Sequence, residues 1–163
     1  MDKRSYANTC RSEDGRTLIV LAKTTVELWD LLSRKKLDLP VPAKCKSVGH
    51  AAISVDRRWI LLADLQPEKE PKAIGGGFDI AQGVLHLIVF DTRTGKTRAL
   101  SEYEVGIVWI GFSSDGTTAV TTGGSITKLW DIETGKCVWS VPNYNAEEAH
   151  FTPDGKHLIA APG

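Results

Sequence analysis

Two stretches of this 163-residue chain align without a gap over their cores: RSEDGRTLIVLAKTTVELWDLLSRKKLDL, from Arg11 to Leu39, and FSSDGTTAVTTGGSITKLWDIETGKCVWSV, from Phe112 to Val141. In both, an Asp-Gly turn is followed sixteen residues later by the Asp of a Trp-Asp pair: Asp14 to Asp30, and Asp115 to Asp131. A third copy runs from Asp56 to Asp91, with Phe90 in place of the Trp and an interval lengthened by 19 residues. A fourth begins at HFTPDGKHLIAAPG, around Asp154. The starting aspartates are 42, 59 and 39 residues apart, and without the extra 19 the middle spacing becomes 40. Such a period constrains the fold more than any composition does, because a unit of this size buries its apolar faces only against its neighbours.

The local chemistry of each unit is that of strands. TLIVLA, RWILLA, VLHLIVF, TAVTT and VWSV are β-branched, leucine-rich or aromatic runs bounded by Asp-Gly, Gly-Gly, Thr-Gly and proline-containing turns. Their near-continuous hydrophobicity predicts sheets covered on both faces. A period of about forty residues holding several short strands predicts an all-β fold of β-propeller blades, each a four-stranded antiparallel sheet of strands a, b, c and d. Blade 1 is expected over 5–39, blade 2 over 47–100 with an inserted loop at 66–82, blade 3 over 105–141, and the first half of blade 4 over 145–161. The recurring c–d turns, Asp91 to Lys96 and Asp131 to Lys136, place a glycine where a tight hairpin needs positive φ, and their Asp can accept from turn amides. Blade 1 has Asp30 to Lys35 there, without the glycine.

The Phe-Ser-x-Asp-Gly, Leu-Trp-Asp and Asp-x-x-Thr-Gly-Lys elements together resemble the WD-repeat β-propeller family across nearly the whole chain. Many repeats of that family carry a Gly-His pair about a dozen residues before the Asp-Gly turn and an Asp in the b–c turn. With a strand-b Ser or Thr and the strand-c Trp, these form a buried hydrogen-bonded set. Here Gly49-His50 lies only six residues before Asp56, inside strand a, and Lys23 and Gly124 stand where the b–c aspartate belongs. The resemblance therefore implies degenerate repeats, without the polar set and held by packing of Trp29, Phe90 and Trp130. It also implies protein or peptide partners rather than a reaction.

Composition narrows the function further. Twenty Lys and Arg balance twenty Asp and Glu, so no long-range field gathers nucleic acid or an anionic membrane surface, and neither is expected as a partner. The N-terminal MDKRSYANTCRSEDG has no apolar stretch behind its basic residues, unlike a secretory signal. Cys10, Cys45 and Cys137 are odd in number and lack C-x-x-C spacing, which predicts small buried hydrophobes in a reducing, cytoplasmic setting rather than disulfides or zinc ligands. Gly95-Lys96-Thr97 has Phe90 where a phosphate-binding loop needs its first glycine, and Gly75-Gly76-Gly77 has Ile80 at the last position of a dinucleotide fingerprint. His50, His86, His150 and His157 form no i, i+4 pair; His150 is expected as a strand-buried, hydrogen-bonded histidine. Trp59, Trp109 and Trp139 are expected in the inter-blade core. No catalytic residue, cofactor or metal is expected, and the chain is read as a non-enzyme.

The insertion between strands b and c of blade 2 is the most informative segment outside the core, since long irregular loops are often functional. In a meander the b–c and d–a connections emerge on one face, so this loop shares a face with Tyr103 and Tyr144. If it binds a partner, Phe78 and Ile80 are the apolar anchors and Lys69, Lys72 and Asp79 the polar rim. Seven blades need close to 300 residues at about forty each, so the chain is expected to be a fragment of a longer propeller protein, an incomplete ring of about three and a half blades whose open edges also permit self-association. The leading expectation is a scaffold module for protein–protein interaction. The alternative is the propeller portion of a larger enzyme or sensor whose catalytic domain is absent from this chain.

Overall fold

The computed structural model describes residues 8–22, 25–42, 48–66, 84–103, 106–123, 126–142 and 146–162. Among them the secondary structure is entirely β. Blade 1 comprises β1 (Asn8–Arg11), β2 (Thr17–Ala22), β3 (Thr25–Asp30) and β4 (Lys35–Lys36); blade 2 comprises β5 (Val48–Ile53), β6 (Trp59–Gln66), β7 (Val84–Asp91) and β8 (Lys96–Tyr103). Blade 3 is β9 (Ile107–Phe112), β10 (Thr118–Gly123), β11 (Ile126–Asp131) and β12 (Cys137–Pro142), and blade 4 is the pair β13 (Ala146–Phe151) and β14 (Leu158–Pro162). All pairings are antiparallel between consecutive strands. The protein is thus an incomplete β-propeller of four-stranded blades. The first residue of the expected inserted loop, Gln66, belongs to β6, opposite Val84. Strand d of blade 1 shrinks to two residues, after which the Leu37 amide still bonds the Leu28 carbonyl at 2.7 Å.

One side-chain motif turns strand a into strand b in every blade. The Ser12 hydroxyl donates to Asp14 Oδ1 at 2.6 Å and accepts from the Thr17 amide at 2.9 Å, while Asp14 Oδ1 accepts from the Arg16 amide at 3.0 Å. Ser54 with Asp56 and Ser113 with Asp115 repeat it at 2.6 Å, and Thr152 with Asp154 completes the series. The next residue adopts positive φ: Gly15 at 68°, Gly116 at 71°, Gly155 at 69°, and in blade 2 the non-glycine Arg57 at 62°. The c–d turns behave alike, with Gly95 at 70°, Gly135 at 73° and Arg34 at 56° in the blade that lacks the glycine. Here Asp30, Asp91 and Asp131 accept the turn amides of Ser33, Arg93 and Thr134 at 2.7, 2.8 and 2.6 Å.

The core lies between blades. Ile19, Leu21, Val26 and Leu28 of blade 1 pack on Ala51, Ile53, Ile60, Leu62 and Phe90 of blade 2. On the other side of blade 2, Leu61, Ala63, Leu87 and Val89 pack on Ile110, Phe112, Ala119, Trp130 and Ile132 of blade 3. Each blade therefore offers one face to the blade before it and the other to the blade after it. The strand-c aromatic looks back: Phe90 and Trp130 are buried against the preceding blade, while Trp29, on the outer face of blade 1, is only half-buried and donates to Glu27 Oε2 at 3.2 Å. The expectation that Trp29 is a packing residue equal to the other two is corrected accordingly: among the described residues nothing covers that face.

Three further expectations are corrected. One bond of the buried polar set survives in blade 3, where Trp130 Nε1 donates to Thr121 Oγ1 at 2.9 Å, both residues being buried. Trp139 is 46% exposed on the outermost strand β12, whereas Trp59, half-buried beneath the Arg58 guanidinium 4.3 Å from its ring centre, packs against the core between blades 2 and 3 as expected. Strand d is the solvent rim of a blade, so apolar residues there lack a second neighbour. Cys137 is exposed for the same reason, and Cys10 is half-buried; Cys45 lies outside the described residues.

Candidate functional site

The innermost strands β1, β5, β9 and β13 stand side by side, with β5 against β1 and β9, and β13 against β9. They enclose a concavity of about 500 Å³, walled by Cys10, Glu13, His50, Trp109 and His150 among others. It opens toward the starts of the same strands, where Gly49, Val108, Glu147 and Glu148 join Thr9, Cys10, His50 and Trp109. This mouth lies on the face that carries the d–a and b–c connections.

His150 is the hub of this wall. Its Nε2 is 3.4 Å from Glu148 Oε2 on its own strand, and its Nδ1 is 4.0 Å from Glu13 Oε1 in the a–b turn of blade 1, so a side chain of blade 4 meets one of blade 1 across the axis. Its ring lies 4.7 Å from that of Trp109, inclined at 59°. Trp109 Nε1 donates to the Ala149 carbonyl at 2.9 Å, which holds the indole plane beside the opening. His150 is therefore half-exposed rather than strand-buried, the correction following from its place on the axial wall. Burial lowers the His50 pKa and favours the neutral ring, while burial raises that of Cys10 against a smaller opposing effect of its bond with the Ala51 backbone. A thiol kept protonated is a poor nucleophile.

Among the described residues no group of three His, Cys, Asp or Glu side chains is arranged to hold a metal ion. What the concavity does offer is an aromatic plane, the carboxylates of Glu147 and Glu148 at its mouth and of Glu13 in its wall, and backbone on four strands. Of the residues expected from the sequence to contact a partner, Lys69, Lys72, Phe78, Asp79, Ile80 and Tyr144 lie outside the described residues, and Tyr103 is the last residue of β8, opposite Leu85. Glu13 and Glu148 were not singled out from the sequence, and Trp109, expected in the inter-blade core, stands half-buried on the axial wall instead. The available signal was polar and aromatic residues on strand a, the strand next to the axis, where core-facing neighbours are Ala52, Ile110 and Phe112.

The fold and this axial wall define an all-β propeller segment with an axial concavity. Over 76 residues, 44% of this chain, it is 34% identical to eukaryotic translation initiation factor 3 subunit I of Scheffersomyces stipitis and 33% identical to that of Debaryomyces hansenii. The chain spans about a fifth of the length of these curated relatives, 21% and 22% respectively. A chain in a crystal structure of the mitotic checkpoint complex superposes on all of this chain with a TM-score of 0.65 at 18% identity, and 46% of that chain is covered. No protein-family model matches. No helix among the described residues is long and apolar enough to cross a membrane.

Proposed function

We propose that this chain is a WD-repeat-type, non-catalytic interaction module that binds a segment of another protein at the axial mouth. The observation that carries this reading is the constellation of Trp109, His150, Glu13 and Glu148, drawn from three blades around one concavity. An indole plane at a carboxylate rim suits an extended segment with a basic side chain, since both surfaces attract a cation. The similar proteins are a subunit of a translation initiation factor and a chain from a checkpoint complex, which supports a role as one component of a larger cytoplasmic assembly. Nucleic acid and membrane are not partners in this reading. In this reading the 66–82 loop, through Lys69, Lys72, Phe78, Asp79 and Ile80, together with Tyr103 and Tyr144, supplies further partner contacts.

Affinity capture with the wild-type chain, with Glu13→Lys/Glu148→Lys, and with the 66–82 deletion tests this. Partners that require the axial mouth are lost with the charge reversal, and those that use the loop are lost with the deletion. Retention of every partner by both variants refutes the axial site.

A further inference from the structure

We propose that Ser33, in the c–d turn of blade 1, is a phosphorylation site for a serine/threonine kinase that reads basic residues, and that its phosphate is received by Arg34, Lys35 and Arg57. The third residue after the strand-c aspartate carries a hydroxyl in each four-stranded blade: Ser33, Thr94 and Thr134. Ser33 Oγ donates to Asp30 Oδ1 at 2.8 Å and Thr134 Oγ1 to Asp131 Oδ1 at 2.6 Å, and the Thr94 side chain bonds Asp91 likewise. All three residues are exposed. Thr94 and Thr134 are so although a blade stands before theirs, so the position is open to a modifying enzyme in a stacked blade as well.

Charge separates the three positions. Thr134 directly follows Glu133, so a phosphate there meets two turn carboxylates, Asp131 and Glu133. In blade 2 Arg93 already faces Asp56 at 3.9 Å, and Arg58 is shared between Asp91 and Glu133 at 3.8 Å from each, which leaves Lys96 as the uncommitted cation of that turn. Asp30 is the one carboxylate of the Ser33 turn, whereas Arg34 and Lys35 directly follow the hydroxyl and have no ion-pair partner among the described residues. Lys36 is committed to Glu27 at 2.8 Å. A third cation comes from the next blade: Arg57 bonds Asp30 Oδ2 through Nη2 and Thr17 Oγ1 through Nε, and its Nη1 group makes no hydrogen bond among the described residues. A phosphoserine carries about −1.5 to −2 charges at neutral pH, which matches the two unpaired cations, and a guanidinium with a spare nitrogen is suited to a phosphate oxygen.

Transfer forms the Ser33 Oγ–P bond and breaks the bond from the γ-phosphorus of ATP to its bridging oxygen; ADP leaves, and the hydroxyl proton passes to the base of the kinase. The hydroxyl gives up its bond to Asp30, while the Ser33 amide, 2.7 Å from the same carboxylate oxygen, keeps the turn capped. A dianion beside Asp30 sets Arg57 between two anions, so the modification acts on the contact that ties blade 2 to blade 1. Arg34 and Lys35 have a second use, since basic residues next to the hydroxyl complement an acidic kinase groove. The site lies on the face of the a–b and c–d turns, away from the axial mouth, and stands independently of it.

The wild-type chain, incubated with ATP and a purified serine/threonine kinase that requires basic residues after its target hydroxyl, is expected to take up phosphate at Ser33 ahead of Thr94 and Thr134, as mapped by mass spectrometry of its peptides. Arg34→Gln/Lys35→Gln, altered at exposed side chains and checked by circular dichroism, is expected to slow that uptake about tenfold, the effect of losing charge-assisted contacts to the kinase. In the phosphorylated chain the phosphorus NMR resonance at neutral pH is expected to stand apart from that of the same chain unfolded in urea, and to move back toward it in phosphorylated Arg57→Gly, where the turn keeps a residue suited to positive φ. No modification, equal rates at Ser33, Thr94 and Thr134, a rate indifferent to Arg34 and Lys35, or a phosphorus resonance indifferent to Arg57 overturns the proposal.

Discussion

The Arg57 guanidinium bonds Asp30 Oδ2 at 2.5 Å and Thr17 Oγ1 at 3.1 Å, tying the a–b turn of blade 2 to the Trp-Asp aspartate of blade 1. Arg57 reaches there from a positive φ of 62°, at a position filled by glycine in the other three blades. Left-handed backbone costs a side-chain-bearing residue roughly 1–2 kcal/mol, so the bridge offsets a local penalty. Arg57→Ala loses the bridge and keeps the penalty, whereas Arg57→Gly loses both. Urea unfolding is expected to show Arg57→Ala as the less stable variant by about 1 kcal/mol. Equal midpoints for the two would mean that the turn carries no backbone cost.

Asp30 should also report the turn by its titration. The Ser33 amide and hydroxyl, and then Arg57, hold its pKa down to about 2. With an unfolded carboxyl near about 3.9, the folded state binds fewer protons than the unfolded state in this window. The Asp30 contribution is thus fully present above the unfolded value and lost as pH falls toward the folded one. A carboxyl-carbon NMR titration is expected to place Asp30 well below an ordinary aspartate, and Ser33→Ala to move it upward. A titration at the ordinary value would contradict the turn geometry.

His50 gives the opposite kind of signal. Burial lowers its folded pKa, so below its unfolded value, near about 6.5, the unfolded chain takes up the proton first. Stability is expected to decline as pH falls through that window, and His50→Gln to flatten this part of the melting-temperature profile. An identical slope in the variant would assign the decline to other groups.

The two tryptophans of the Trp-Asp pairs are expected to differ. Trp130→Ala empties a buried site and breaks the bond to Thr121, at a cost of about 3–5 kcal/mol. Thr121→Val removes the bond that the indole donates to the hydroxyl, at about 0.5–1.5 kcal/mol. Trp29→Ala removes a half-exposed ring and is expected to cost clearly less than Trp130→Ala. Comparable losses at both sites by urea unfolding would show that something covers the outer face of blade 1 in solution.

The parts of the fold written in the sequence are those fixed by local chemistry. Ser-x-Asp-Gly turns announce themselves because a hydroxyl, a carboxylate and a positive φ must coincide within four residues. The sixteen-residue interval from Asp14 to Asp30 and from Asp115 to Asp131 follows from two short strands joined by a tight turn. What escaped sequence reading depends on neighbours. Trp29 and Trp130 occupy the same place in identical Leu-Trp-Asp contexts, yet Trp29 is half-buried, with no other described blade over it, and Trp130 is buried against the body of blade 2. Arg57 reads as an unremarkable surface residue until the blade 1 turn is placed against it. The axial wall was hidden for the same reason: Glu13, Trp109 and His150 are far apart in the chain, and only the curvature of the stack brings them together. The surviving Trp130–Thr121 bond was legible in principle, since a threonine on strand b lies one diagonal step from the tryptophan.

A photo-reactive residue placed at Glu148, in protein expressed in its own cells, tests the central claim most directly when compared with the same residue at Val138 on the outer strand of blade 3. If the axial mouth receives protein segments, the Glu148 probe gives cross-links to defined partner peptides, and these are lost with Glu13→Lys. Adducts to the same peptides from Val138, or none from Glu148, would contradict it.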